Sequence, residues 1–270
     1  MSFIEAIILA VIEGITEYLP VSSTGHLIIA SSFFHIAGDS FTKLFTIIVQ
    51  LGAILAVVIL YWKRFFQSID FYLKLLVAFI PAVILGLLFN SVIDELLESP
   101  IIVAISLILG GIILLKVDNW FKSNENNNDN QSGEHTTISY ITALKIGFFQ
   151  CLAMIPGTSR SGATIVGGMT QKLNRKTATE FSFFLAVPTM LGATAKKLFD
   201  YYEQGFTLTS QQINYLLIGN VIAFIVAIFA IKSFIDYLSK HGFKLFGYYR
   251  LVIGVAILII HFYIYPLTII

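Results

Sequence analysis

The stretch LPVSSTGHLI, residues 19–28, places a proline, three hydroxyl side chains, a glycine and a histidine within an otherwise apolar part of the chain. A similar stretch, IPGTSRSGATI at residues 155–165, repeats Pro, Ser and Gly in the same order. Short apolar segments flank both stretches, which predicts two helix–turn–helix hairpins, at residues 3–37 and 140–170. Crossing a bilayer takes about 20 helical residues, so we expect both hairpins to be re-entrant. The alternative is two pairs of short spans with the turns outside the membrane.

The composition indicates that lipid surrounds much of the chain. Of its 270 residues, 57% are hydrophobic and only 12% are charged, whereas a soluble domain typically has about 25% charged residues. The net charge of +1 gives no indication of nucleic acid binding. Six apolar runs approach the length of a membrane span, at residues 44–62, 75–92, 100–115, 181–195, 213–231 and 251–270. The sequence therefore predicts an all-α integral membrane protein with six transmembrane helices plus the two re-entrant hairpins.

A polar, Asn-rich linker at residues 123–137 divides the chain into two similar parts, 1–122 and 138–270. Each part consists of one predicted hairpin and three predicted spans. Basic residues favour the cytoplasmic side of a membrane, and we place there Lys63, Arg64, Lys74, Lys116, Lys122, Lys172, Arg175, Lys176, Lys232, Lys240, Lys244 and Arg250. Both termini then lie outside, and the two parts form inverted-topology repeats. Such repeats usually hold a site at their interface near the midplane, where the two turns would meet.

The first hairpin contains acidic, hydroxyl and imidazole groups close together. Glu13 and Glu17 lie four residues apart, on one face of a helix. Buried carboxylates need a partner or a wet cavity, and Mg²⁺ and Ca²⁺ prefer carboxylate oxygens, so the pair predicts a divalent-cation or proton-handling site. Ser23 and His26 supply a hydroxyl beside an imidazole, the minimum for an activated nucleophile. The structural alternatives are a glutamate bonded to the turn backbone and capping of the next helix by Ser23 or Thr24.

The second turn contains Arg160 among small and hydroxyl residues. A permanently charged guanidinium at membrane depth is costly unless an anion neutralises it. Phosphate matches its bidentate geometry, and the following helix N-terminus offers backbone N–H groups to an anion. The alternative is a salt bridge from Arg160 to Glu13 or Glu17. A nucleophile, a base, a carboxylate pair and an arginine clamp together indicate phosphoryl transfer.

At these residues the sequence resembles the undecaprenyl-diphosphate phosphatase (bacitracin-resistance) family. The resemblance covers essentially the whole chain apart from the linker, and it rests on EGITEYLPVSSTGHL at 13–27, IVQLGAILAVV at 48–58, PGTSRSGATI at 156–165, EFSFFLAVPTMLGA at 180–193 and YYRLVIG at 248–254. It implies a multi-pass hydrolase of the bacterial plasma membrane that removes the terminal phosphate of undecaprenyl diphosphate. The product is the lipid carrier for peptidoglycan synthesis, and its recycling confers bacitracin resistance. The resemblance also implies a divalent cation and a site open to the outer leaflet.

Residue by residue, the resemblance implies that Glu13 and Glu17 form an acidic motif that binds Mg²⁺ or Ca²⁺. It implies that Ser23 is the nucleophile, His26 the general base and Arg160 the phosphate clamp. Flanking polar positions that would contact the substrate are Ser22, Thr24, Gly25, Thr158, Ser159, Ser161 and Gly162.

Several alternatives stay open at the level of sequence. Either Ser23 or a water activated by His26 could attack, and one glutamate or both could bind the cation. A homodimer is compatible with the sequence. The rival function is a lipid-phosphate flippase or small-anion transporter, because inverted repeats with broken helices are also a transporter design.

Overall fold

The computed structural model describes residues 1–65, 69–97, 99–122 and 138–267. Within those ranges every regular element is helical and no strand occurs, which confirms the predicted all-α class. The predicted linker at 123–137 lies outside the described residues.

The helices before the linker begin with the first hairpin. They are α1 (Phe3–Thr16), α2 (Ser23–Phe33), α3 (Ser40–Ile48), α4 (Gln50–Leu60), α5 (Trp62–Phe65), α6 (Ile69–Leu88), α7 (Asn90–Leu97) and α8 (Pro100–Trp120). The helices after the linker are α9 (Tyr140–Cys151), α10 (Arg160–Thr170), α11 (Arg175–Glu203), α12 (Ser210–His241) and α13 (Lys244–Ile259). A 3₁₀ turn, Leu152–Met154, extends α9, and a π-helical turn, Ile260–Ile264, extends α13.

Five helical segments of the described chain are long and apolar enough to cross a membrane, namely Ser40–Leu60, Ile69–Leu88, Pro100–Trp120, Ser210–His241 and Lys244–Ile264. The protein is therefore a multi-pass membrane protein. The expected sixth span, residues 181–195, lies inside α11 and is not among the five. Charged residues lie near both ends of its apolar run, and residues 181–186 are all buried. A helix that packs against protein on several sides does not need the apolar surface that lipid requires.

Each hairpin is held by a long helix from the other side of the linker. Helix α1 packs against α12, and α9 packs against α6. Both crossings are close at a glycine. A Cβ added to Gly14 of α1 would lie 2.8 Å from the Ala223 carbonyl oxygen of α12, and one added to Gly147 of α9 would overlap the Ala78 backbone of α6. Through these two packing contacts each half of the chain holds the hairpin of the other half, and the two turns come together inside the protein.

The structure corrects two expectations about local position. Helices α2 and α10 begin at Ser23 and Arg160, so the chemically interesting residues occupy first helical turns rather than the preceding loops. The reason is capping, since the hydroxyls of Ser22 and Ser159 accept hydrogen bonds from the amides three residues further on. Arg250, expected as a loop charge on the cytoplasmic side, lies inside α13 and is only 1% exposed.

Candidate active site

The two turns have the same backbone conformation and the same cap. Ser22 has φ 69° and ψ 98°, and Ser159 has φ 70° and ψ 114°. Side chains other than glycine rarely adopt positive φ, and such residues cluster at functional sites. The amide of Gly25 donates to Ser22 Oγ at 3.4 Å, and that of Gly162 donates to Ser159 Oγ at 3.3 Å. Ser23 and Arg160 therefore occupy equivalent positions, each directly after the strained serine.

Glu17 joins these two positions. Its Oε2 accepts a hydrogen bond from Ser23 Oγ at 2.7 Å, and its Oε1 accepts one from Arg160 Nη2 at 3.0 Å. Both partners of the ion pair are shielded, with side-chain exposures of 7% for Glu17 and 11% for Arg160. A further bond, from Ser161 Oγ to the Leu19 carbonyl oxygen at 2.9 Å, also ties the second turn to the first. The salt bridge between Arg160 and Glu17, considered above as an alternative, thus exists. The same carboxylate also binds Ser23, the candidate nucleophile.

The rest of the Arg160 guanidinium is only partly satisfied. Nη1 donates to the Ser182 carbonyl oxygen at 3.1 Å, and the guanidinium carbon lies 5.4 Å from the centre of the Tyr18 ring, in cation–π contact. Arg160 Nε is buried and has no hydrogen-bond partner among the described residues. The head group is therefore held in place while retaining a donor for an anion.

Glu13 is fully buried, and neither of its carboxylate oxygens has a hydrogen-bond partner among the described residues. Unpaired carboxylate oxygens at such a depth fit a hard cation. In the described part of the chain, no group of three or more His, Cys, Asp or Glu residues could hold a metal ion. Glu13 and Glu17 alone would thus leave further positions around a cation for substrate oxygens and water, as is usual for Mg²⁺.

The hydrogen bonds of His26 go to groups other than Ser23 and Glu17. Its Nδ1 is 2.8 Å from the Ser22 carbonyl oxygen, which can only accept, so we infer that Nδ1 carries the proton. Nε2 then accepts from the Tyr249 hydroxyl at 2.7 Å. His26 also lines a separate, apolar cavity of about 540 Å³. The structure does not bring together Ser23 and His26 as a hydrogen-bonded pair; it brings Ser23 to Glu17.

The two turns open onto a cavity of about 640 Å³. The sequence-predicted site residues that line it are Glu17, Ser22, Ser23, Thr24, Ser159 and Arg160. Among the others, Gly25 and Gly162 supply the capped amides, Ser161 bonds Leu19, and the Thr158 carbonyl bonds Arg250. The structure thus shows these four building the turns, and their contact with a substrate stays a prediction.

Several polar residues of the cavity wall were not singled out in the sequence. Gln50, Gln150 and Thr189 lie in apolar helices, and Lys196 and Lys197 lie further along α11. A glutamine inside an apolar run is the signal that could have identified the first two. The lysines give no such signal, because near a span end they look like ordinary flanking charges.

The sequence of the chain can now be compared with those of known proteins. The chain matches the family model of the bacitracin resistance protein BacA over residues 6–256. The chain belongs to this family. It is 69% identical to the undecaprenyl-diphosphatase of Flavobacterium psychrophilum and 68% identical to that of Flavobacterium johnsoniae, over the full length of both chains in each case. It is 52% identical to the undecaprenyl-diphosphatase of Bdellovibrio bacteriovorus over 96% of each chain. The family predicted from the motifs is confirmed.

The different environments of the two glutamates lead to a stability prediction. Glu17→Ala would leave the largely shielded Arg160 without its carboxylate, and breaking a fully buried pair in this way costs about 3–5 kcal/mol. Glu13→Gln replaces a buried carboxyl group whose oxygens have no hydrogen-bond partner among the described residues, so we expect it to leave stability unchanged or raised. Thermal unfolding of the purified variants in detergent compares the two. A Glu17→Ala midpoint equal to that of the unaltered chain would contradict the structural importance of the bridge.

Proposed function

We propose that this chain is an undecaprenyl-diphosphatase, which hydrolyses undecaprenyl diphosphate to undecaprenyl phosphate and inorganic phosphate. The observation that carries the proposal is the meeting of Ser23, Glu17 and Arg160 across two turns that line one cavity. The names of the relatives support the same substrate. The activity recycles the lipid carrier of peptidoglycan synthesis and accounts for bacitracin resistance.

Substrate binding begins with the exchange of one anion for another at Arg160. A phosphate group offers more negative charge and a better bidentate match to the guanidinium than a single carboxylate oxygen does. The terminal phosphate of the lipid would therefore take the place of Glu17 Oε1 on Arg160. The first residues of α2 and α10 line this cavity, and the N-terminus of a helix favours an anion. Only the diphosphate needs this polar cavity, and the isoprenoid tail can remain in lipid.

The hydrogen bond between Ser23 and Glu17 supports a route for the proton. Ser23 Oγ attacks the terminal phosphorus, its proton passes to Glu17, and the bond from that phosphorus to the bridging oxygen breaks. Undecaprenyl phosphate leaves, and a phosphoserine remains. Water then attacks this phosphorus, and both of its protons stay with the inorganic phosphate that is released. Glu17 returns its proton to Ser23 Oγ as the bond from phosphorus to that oxygen breaks.

The geometry favours Glu17 over His26 as the base in this scheme. Both ring nitrogens of His26 bind groups other than Ser23. The histidine instead fixes the carbonyl of the strained Ser22, directly before the nucleophile. We therefore propose that His26 positions the first turn, and that its loss slows the reaction less than the loss of Ser23 does.

Glu13 and Glu17 are the residues that would hold a divalent cation. When bound, the cation neutralises charge on the phosphate oxygens. The fully buried and unpartnered oxygens of Glu13 support this proposal. Without a cation, two carboxylates and a diphosphate would repel one another in a poorly solvated cavity.

The membrane arrangement is also a proposal. The matching turns and the mutual packing of hairpins and long helices support two inverted repeats with six spans and re-entrant hairpins. Asn90 at the start of α7 and Lys197 in the C-terminal part of α11 line the cavity, in regions that the charge pattern puts outside, together with both termini. In spheroplasts, a membrane-impermeant thiol reagent should label Lys197→Cys in a Cys151→Ser background. Labelling only after lysis would contradict an outward-facing site.

The activity prediction concerns the purified protein in detergent. It should release one phosphate per lipid diphosphate, whereas a flippase or anion carrier needs a sealed membrane and would release none. We expect Ser23→Ala and Arg160→Ala to lower kcat/KM at least about 10³-fold, since an arginine clamp alone contributes that much in phosphoryl transfer. His26→Ala should lose less than about 10²-fold.

Matched controls lie away from the cavity. Ser239→Ala removes an exposed hydroxyl of α12, and Arg175→Ala removes an arginine that pairs with Asp118. Both should keep phosphate release close to that of the unaltered chain. Full activity of Arg160→Ala would refute the assignment.

The cation prediction uses the same assay with a chelator. Phosphate release should stop when divalent cations are removed and return when Mg²⁺ or Ca²⁺ is added. Glu13→Gln should raise the cation concentration needed for half-maximal rate, because one ligand is weakened. Undiminished turnover in excess chelator would refute the cation site.

A further inference from the structure

Arg250 of α13 is a fully buried guanidinium whose hydrogen bonds all go to backbone. It is 1% exposed. Nε donates to Leu107 at 3.2 Å, Nη1 to Pro20 at 3.2 Å and Thr158 at 3.0 Å, and Nη2 to Ser106 at 3.0 Å and Gly157 at 2.9 Å, in each case to the carbonyl oxygen. All five N–H donors of the guanidinium are thereby used.

These carbonyls come from three separate segments. Pro20 belongs to the first turn, Gly157 and Thr158 belong to the second, and the remaining two lie in α8. Arg250 reaches them because α8 and α13 cross closely at Gly110, where an added Cβ would overlap the guanidinium. One side chain therefore links both turns to the helix behind them.

We propose that Arg250 is a positioning residue for phosphate transfer, holding the two turns at the separation in which Ser23, Glu17 and Arg160 meet. This inference rests on the proposed function and assigns Arg250 no contact with the substrate. Its action passes through the backbone of the turns.

The positive φ angles of Ser22 and Ser159 explain why the two turns need a residue that holds their backbone in place. A residue with positive φ persists only where the surroundings over-determine it. The Thr158 carbonyl that Arg250 binds belongs to the peptide group directly before Ser159. In a trans peptide the C=O and N–H groups point in opposite directions. Holding this carbonyl therefore directs the Ser159 amide away from Arg250, and Ser159 lines the cavity.

The positive charge of Arg250 also supports a role in phosphate transfer. None of its five hydrogen bonds goes to a carboxylate, so a fixed positive charge lies behind both turns. Such a charge in a poorly solvated region favours an anion in the neighbouring cavity. Lysine would keep the charge but could not reach five carbonyls, because its three donors radiate from a single nitrogen.

Two variants disturb Arg250 in different ways. Arg250→Lys keeps the charge and removes the planar fork, and Gly110→Ala displaces the intact guanidinium with a methyl group. Their matched controls are Arg175→Lys, beside Asp118, and Gly38→Ala, where an added Cβ meets nothing within 4 Å. Phosphate release from undecaprenyl diphosphate is measured for each full-length protein in detergent, per folded molecule after size-exclusion chromatography.

We expect kcat to fall about 100-fold in both variants, since misplacement of catalytic groups by roughly 1 Å costs this much. KM should stay within about threefold of that of the unaltered chain, because Arg160 can still bind the phosphate group. Combining either variant with Arg160→Lys should cost less than the product of the single losses, since Arg250 acts through the turn that presents Arg160.

Rates within twofold of the controls for both variants would overturn the inference. So would losses that multiply in the double variants, since a general loss of stability predicts that result. If Arg250→Lys does not fold, Gly110→Ala and its combination with Arg160→Lys decide by the same criteria. An inactive unaltered chain would instead refute the proposed function itself, so the two failures are distinguishable.

Discussion

The site depends on one carboxylate that bridges two turns. Arg160 is largely shielded from solvent, and a cation so placed requires a partner close by. Glu17 is that partner, and its second oxygen holds Ser23. We propose that the same three groups balance charge before the substrate arrives and take part in the reaction once phosphate binds the guanidinium. Phosphate binding would release Glu17 from Arg160 at the moment when a base for Ser23 is needed.

The fold serves to bring the ends of two short helices together inside an apolar body. The four hairpin helices are each shorter than the about 20 residues that a membrane span takes, and each hairpin packs against a long helix from beyond the linker. Glycines permit these close crossings, and Arg250 draws the carbonyls of both turns towards α13. Backbone that leaves helical geometry at this depth must be bonded within the protein, and the serine caps together with Arg250 meet that requirement.

The sequence allowed the turns, the family and the central charges to be predicted, because a polar residue in an apolar run is conspicuous. Glu17 and Arg160 were found in this way, and their salt bridge was one of two alternatives considered. The partner of His26 could not be found, since Tyr249 is 223 residues away along the chain. Arg250 was misplaced because it begins an apolar run and looks like a loop charge. The span at 181–195 stays a prediction, because part of that segment is buried in protein within α11 and buried protein contacts and lipid contacts select similar side chains.

The most direct test of the bridged site is an experimental structure of the full-length protein with inorganic phosphate bound. The account predicts phosphate oxygens on the Arg160 guanidinium, Ser23 Oγ facing the phosphorus, and Glu17 no longer paired with Arg160. Phosphate bound elsewhere, for example in the apolar cavity beside His26, with the bridge between Glu17 and Arg160 intact, would contradict it.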